Sequence, residues 1–166
     1  IHGDVDMMEV RNKVRGVACD LNVARITVLA VPDQPGIAAS LFEPLAQAGI
    51  SVDVIVQNAS QEHLTDLSFT VAQTDLNQAL IVVEEVAKHI GSPGLVSNDH
   101  LAKVSIVGTG MQNAPGYASE MFRTLYAEDI NIEMITTSEI RITCIVAENQ
   151  AHDAVRALHR AFGLEG

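Results

Sequence analysis

The chain has 166 residues, and its 10 basic against 21 acidic side chains give a net charge of −11, which argues against electrostatic binding to nucleic acid or an anionic membrane. Hydrophobic residues make up 48% but aromatics only 4%, with no Trp, so the core must come from Val, Ile, Leu and Ala in mixed helix and sheet. The longest apolar runs, 26–32 and 79–83, fall far short of the roughly 20 residues that span a bilayer, and a soluble protein is expected.

The polar stretch 1–13 is expected to be flexible. A strand candidate follows at 14–19, VRGVAC. A second apolar run, 25–31, ends at Pro32 and predicts a buried strand. Pro35 then stands where a helix starts, because proline lacks an N–H that the first turn leaves unused. Ile37, Leu41, Leu45 and Ala48 recur at helical spacing and Gly49 supplies the stop. Next, Ile50, Val52, Val54 and Val56 alternate with more polar positions, the period of a half-buried strand. A polar hairpin connection at 58–63 leads to another, with Leu67, Phe69 and Val71 inward and Asp66, Ser68 and Thr70 outward. Leu76, Leu80, Val83, Ala87 and Ile90 make a second amphipathic helix closed by Gly91, and 94–96 adds a short strand. The order is βαββαβ.

The same sequence of elements recurs. Residues 26–58 and 104–138 form an internal repeat in which Pro35-Gly36 falls on Pro115-Gly116 and Ile50-Ser51-Val52-Asp53 on Ile130-Asn131-Ile132-Glu133. The second copy predicts a strand at 103–107, a helix at 115–128, strands at 131–137 and 141–146, and a helix bearing Ala151, Val155, Leu158 and Phe162. It lacks a sixth element, whereas the first copy is preceded by the surplus strand 14–19. That strand is therefore expected to complete the second module's sheet, which makes the first module an insertion in the second. The architecture is α+β, with antiparallel sheets carrying helices on one face. The opposite faces, polar but interrupted by Ile55 and Ile135, and the strand edges invite a second copy, so a homodimer is expected.

Catalytic patterns are sparse. Gly108-Thr109-Gly110 resembles the opening of a dinucleotide fingerprint, but Asn113 stands at its third glycine and the unit is not βαβ. There is no phosphate-cradling GxxxxGK[ST] run and no Gly-x-Ser-x-Gly elbow. His152 and His159 are seven apart on one helix, a spacing that favours solvated surface over metal ligation. Asp53 and Glu133 are symmetry mates in the repeat and lack the spacing of an acid/base pair. Cys19 and Cys144 show no CxxC pattern and no secretory leader precedes them, which predicts reduced, buried thiols in a cytoplasmic protein.

What repeats is a binding geometry: a strand enters a Pro-Gly turn that starts a helix whose first amides have no helical partner and suit a carboxylate. Asp33 stands beside the first such turn with the charge to meet an ammonium group, so one amino acid satisfies both. On periodicity alone the plainer reading is that Asp33 caps the helix and Gly36 permits the turn.

VPDQPGIAASLF, GISVDVIVQN, KVSIVGTGM, NIEMITTSEIRI and ALHRAF together resemble the C-terminal regulatory region of aspartate kinase, which several bacteria also make as a separate subunit. The resemblance covers about 14–164. It implies tandem ACT domains of ferredoxin-like fold, ACT1 at 24–99 inserted in ACT2 at 14–23 plus 100–166, and a dimer in which each ACT1 packs against ACT2 of the other chain. It further implies no catalytic site and no cofactor, a catalytic aspartate kinase domain or subunit as partner, and feedback inhibition by threonine, lysine or both. The threonine-type pocket would use Asp33 for the ammonium, Gly36, Ile37 and Ala38 at the helix start and Gln57, with Asn131 and Ile132 from the other chain. The pseudo-equivalent pocket would use Asp53 with Ala114, Gly116, Tyr117 and Ala118, and Thr137, Ser138 and Glu139. Ala114 and Ala118 depart from the lysine-responsive pattern, which puts lysine at this pocket in doubt. An ACT-type sensor of another biosynthetic enzyme and a purely structural dimerisation module are the alternatives.

Overall fold

Six strands and four α-helices form among residues 14–59, 62–109 and 116–164, the part of the chain that a computed structural model describes. They are β1 Val14–Pro32, α1 Ile37–Gln47, β2 Ile55–Ala59, β3 Leu64–Val71, α2 Leu76–Ile90, β4 Leu95–Gly108, α3 Gly116–Ala127, β5 Met134–Thr137, β6 Arg141–Ala147 and α4 Ala151–Ala161. The segment 1–13, expected to be flexible, lies outside the described residues, as do Ala114 and Pro115 of the second turn. The chain divides into two compact units, one of Asn22–His100 and one that holds 14–21 and 101–164 of the described residues.

In the unit Asn22–His100 the strand order is β2-β3-β1, all antiparallel. Ile26, Val28 and Val31 of β1 and Leu67, Phe69 and Val71 of β3 are buried and meet Leu41 and Leu45 of α1 and Ala79, Val83 and Ala87 of α2. Phe42 packs edge-on against Phe69 with ring centroids 5.2 Å apart. Gly49 and Gly91 adopt φ of 77° and 80° just beyond the two helices, which only glycine does at little cost.

In the other unit the order is β4-β6-β5, again antiparallel. Ala102, Val104 and Ile106 of β4 and Ile142, Cys144 and Val146 of β6 pack under Tyr117, Met121 and Leu125 of α3 and Ala154 and Leu158 of α4, with Val14 in the same cluster.

Several elements differ from the sequence-based expectation. The separate strands predicted at 14–19 and 25–31 are one strand, β1, and those at 94–96 and 103–107 are one strand, β4. Asp20, Asn22 and Asp99, between the predicted segments, lie at solvent-exposed positions where extended backbone tolerates short polar side chains. Helix α1 starts at Ile37, not at Pro35. Gln34 to Ile37 form a β-turn of type II, with proline second, Gly36 third at φ 90° and ψ −14°, and the Ile37 N–H 3.4 Å from the Gln34 carbonyl. Strands β2 and β5 begin late, at Ile55 and Met134. Ahead of β2 the Val54 amide donates to Thr70 Oγ1 at 3.0 Å, which satisfies the hydroxyl of Thr70, predicted outward but buried.

Two further corrections concern exposure. Cys19 is exposed, not buried, while Cys144 is buried; both are free thiols. The sheet face of the second unit that was expected to be open is closed at its centre. Ser105 and Thr143 are buried there, with hydroxyls 2.6 Å apart, beside buried Leu101 and Ile145.

Candidate functional site

The residues expected to grip an amino acid in the first repeat are contiguous in one turn. β1 ends at Pro32, and the Asp33 amide donates to the His63 carbonyl at 2.8 Å, which ties the start of the turn to the connection between β2 and β3. The type II turn then delivers the chain into α1. Its N-cap is Gly36, left-handed and without a side chain, and no side chain caps the helix. Nothing lies within 4 Å of where a Gly36 Cβ would stand, so glycine is required here by its backbone angle and not by crowding. Asp33, Gly36 and Ala38 are exposed and Ile37 is half-buried. An exposed carboxylate thus stands three residues before a helix start that no side chain caps, where the Ile37 amide closes the turn on the Gln34 carbonyl, and the positive end of the helix dipole faces the same turn.

Gln57 lies in the same unit on β2, exposed. It pairs with Leu67 of β3, which pairs in turn with Val28 of β1, so two strand spacings separate it from β1. Asn131 and Ile132, in the other unit, precede β5. The Asn131 side-chain amide donates to Glu133 Oε2 at 2.8 Å, an orientation that holds the amide plane.

The second set is more scattered. Asp53 is exposed ahead of β2, its amide donating to the Thr70 carbonyl at 3.1 Å. Gly116 and Ala118 are half-buried at the start of α3, and Ala114 is outside the described residues. The Tyr117 side chain is fully buried in the core, so what it offers at the helix start is backbone. Thr137, Ser138 and Glu139 are exposed at the β5–β6 connection, where the Ser138 amide donates to the Arg141 carbonyl at 2.8 Å.

A groove of about 770 Å³ runs between α1 and α2, lined by Ser40, Pro44, Ile81, Val86, Glu85 and His89 among others. It is mainly apolar and does not set a cation-binding carboxylate against free amides, so it does not match a small zwitterion. Among the described residues no His, Cys, Asp and Glu side chains cluster as a metal site. No described helix is long and apolar enough to cross a membrane. Burial pushes the Cys144 thiol up to about 12; burial and then Asp20 raise that of Cys19, so neither is an activated nucleophile.

The sequence reading passed over two residues, Ala30 and Asp66. Ala30 takes φ 46°, rare for a residue with a Cβ, and its amide donates to Asp66 Oδ1 at 2.9 Å. The available signal was an aspartate in the middle of a strand, where that residue type is depleted.

Comparison with known proteins agrees with this architecture. A profile of the ACT domain matches residues 28–86 and 104–162. An aspartokinase of Pseudomonas aeruginosa is 42% identical over 152 residues, which take in 92% of this chain and 37% of that protein. The chain therefore spans well under half the length of such curated relatives. The ligand-free regulatory subunit of aspartate kinase from Thermus thermophilus superimposes with a TM-score of 0.86 at 42% identity, over 90% of this chain and 99% of that one. A crystal structure of aspartokinase alpha and beta subunits gives 0.84 at 44% identity with the same coverage.

Proposed function

The chain belongs to the ACT-domain family and, within it, to the regulatory subunits of aspartate kinase, a non-catalytic part of that enzyme; from this premise we propose that it senses an amino-acid end product and restrains aspartate phosphorylation by the catalytic part. The observation that carries the reading is the turn Asp33 to Ala38, where an exposed carboxylate precedes a helix start left open by glycine. A free amino acid carries one ammonium and one carboxylate at fixed separation, and this turn offers a partner for each.

In this reading Asp33 takes the ammonium, the helix start of Gly36, Ile37 and Ala38 takes the carboxylate, and Gln57 reads the side chain, with threonine as the effector. Two chains pair, ACT1 at 24–99 of each against ACT2 at 14–23 plus 100–166 of the other, so that Asn131 and Ile132 of the second copy close the pocket. The pseudo-equivalent pocket of Asp53, the turn 114–118 and Thr137, Ser138 and Glu139 takes lysine or stays empty. The assembly works in the cytoplasm without a cofactor. Inhibition follows only if the effector binds the inhibited arrangement more tightly than the active one, since equal affinity shifts nothing.

Thermal unfolding with threonine, lysine, methionine and no amino acid tests the reading, because a ligand that binds only the folded protein raises its stability by mass action. Threonine is expected to raise Tm and Asp33→Ala to abolish most of that rise. No shift with any amino acid leaves a structural dimerisation module as the better account, and an unchanged shift in Asp33→Ala removes the assigned pocket.

A further inference from the structure

Strands β1 and β3 pair in one register from Ala24↔Val71 to Val28↔Leu67 and in another from Val31↔Thr65 to Pro32↔Leu64. Between these stretches Leu29 and Ala30 stand opposite the single residue Asp66, which is a β-bulge. The bulge has a directional consequence. Side chains alternate across a strand, so Val28 and Val31, three apart, would face opposite sides of a regular sheet. Both are fully buried in the same core. The extra residue has reversed the alternation, and the shifted register leads directly into Asp33, whose amide donates to the His63 carbonyl at 2.8 Å.

Hydrogen bonds to Gly94, Ser92 and Asp66 hold the bulge. The Leu29 amide donates to the Gly94 carbonyl at 3.0 Å and its carbonyl accepts from Ser92 Oγ at 2.6 Å. The Ala30 amide, turned out of the ladder by φ 46°, is met by Asp66 Oδ1 at 2.9 Å. Alanine lacks glycine's freedom in this region, so the conformation persists only where the surroundings impose it.

We propose that Asp66 is a positioning residue for the amino-acid-binding turn, fixing the β1 bulge through the Ala30 amide and thereby the placement of Asp33 and the helix start at Gly36. The proposal rests on the reading of that turn as the effector site. The other repeat provides an internal control. Matching the hydroxyl pairs Thr27–Ser68 and Ser105–Thr143 sets Gly108 at the place of Ala30 and Arg141 at that of Asp66. There the register runs without a shift from Leu101↔Ala147 to Val107↔Arg141, and the Gly108 amide donates to the Ile140 carbonyl at 2.8 Å. The side-chain clamp belongs to the repeat whose turn reads Asp-Gln-Pro-Gly.

The test combines calorimetric titration with L-threonine and amide exchange by NMR on the 166-residue chain, in the wild type, Asp66→Ala and Asp66→Asn. Removal of the acceptor in Asp66→Ala is expected to weaken threonine by about tenfold, the size of one charge-assisted hydrogen bond, while Asp66→Asn, which keeps the oxygen, stays nearer the wild type. Without ligand, Asp66→Ala is expected to lose exchange protection at the Ala30 amide and to shift the amide signals of Asp33, Gly36 and Ile37, with Gly108 unmoved. Unchanged threonine affinity in Asp66→Ala overturns the proposal, as does equal loss in Asp66→Ala and Asp66→Asn, which would assign the effect to charge. If the wild type itself binds no threonine, the effector reading fails, and the ligand-free exchange data alone decide whether Asp66 fixes the turn. Should Asp66→Ala alone not fold, Asp66→Ala combined with Ala30→Gly removes the same acceptor from a chain whose residue 30 takes φ 46° at little cost, and the same two readouts apply.

Discussion

The two repeats place different chemistry at matched points of the same sheet. With Ser68 matched to Thr143, the next residue is Phe69 in one repeat and Cys144 in the other, both fully buried. Phe69 meets the ring of Phe42 edge-on, whereas the Cys144 Sγ lies 3.9 Å from Met121 Sδ. At this matched position one unit sets two aromatic rings together and the other two sulfur atoms, while the second core buries its aromatics, Tyr117 and Phe162, elsewhere. What the repeat conserves is the inward step of the alternation, not the residue that fills it, so the two cores are expected to respond unequally to the same truncation. Phe69→Ala is expected to cost about 3–5 kcal/mol and Cys144→Ala about 1 kcal/mol, measured by urea unfolding. Equal costs would mean that the packing contrast carries no energy.

The hydroxyl pairs sharpen the contrast. Ser105 and Thr143 are sealed from water, so Thr143→Val strands the Ser105 hydroxyl and is expected to cost about 1–3 kcal/mol. Thr27 and Ser68, 2.8 Å apart, are only part-buried, and water replaces the lost partner. Thr27→Val is accordingly expected to cost about 0.5–1 kcal/mol in the same assay.

These differences also mark where the sequence was legible. The inward positions Leu67, Phe69 and Val71, and Leu41, Leu45, Val83 and Ala87 on the helices, were readable because burial on one face imposes a period that composition displays. The contiguous turn Asp33 to Ala38 was readable for the same reason that any Pro-Gly turn is: its backbone angles restrict residue type. The β1 bulge was not, because Ala30 is a residue of no special backbone preference held in place by Asp66, which is 36 positions away in the chain. The continuity of β1 through Asp20 and Asn22 was hidden likewise, since polar residues mark a turn and an exposed strand position alike. The burial of Ser105 and Thr143 could not be read from alternation, which says which side a residue faces but not what covers that side.

Cys144 gives the contrast a pH dependence. Its thiol is pushed up from 9.0 to about 12 by burial, so the folded protein keeps a proton that the unfolded chain releases above pH 9. Fewer protons on the unfolded state mean that stability falls as pH rises between those two values, by up to about 1.4 kcal/mol per unit from this group, while well below pH 9 both states keep the proton and the slope vanishes. Cys144→Ala is expected to remove that part of the alkaline slope in urea midpoints recorded from pH 8 to 10.5. In the native protein at pH 8 a thiol reagent is expected to label exposed Cys19 and leave Cys144 unmodified.

The smallest effect separates strain from support at the one point where the repeats differ in backbone. Ala30 occupies left-handed space that costs a residue with a Cβ about 1–2 kcal/mol, and the matched position in the other repeat is Gly108. Ala30→Gly relieves that cost but gives the unfolded chain more freedom, worth about 0.5–1 kcal/mol in the opposite sense, so a net stabilisation of about 0.5 kcal/mol is expected in urea unfolding. The gain should grow in Asp66→Ala, where the carboxylate no longer holds the Ala30 amide, and the difference between the two backgrounds measures the coupling of the pair. A loss of stability on Ala30→Gly would show that the Cβ contributes packing greater than the strain it causes, and the bulge would then owe its form to the core beneath it and not to the carboxylate above.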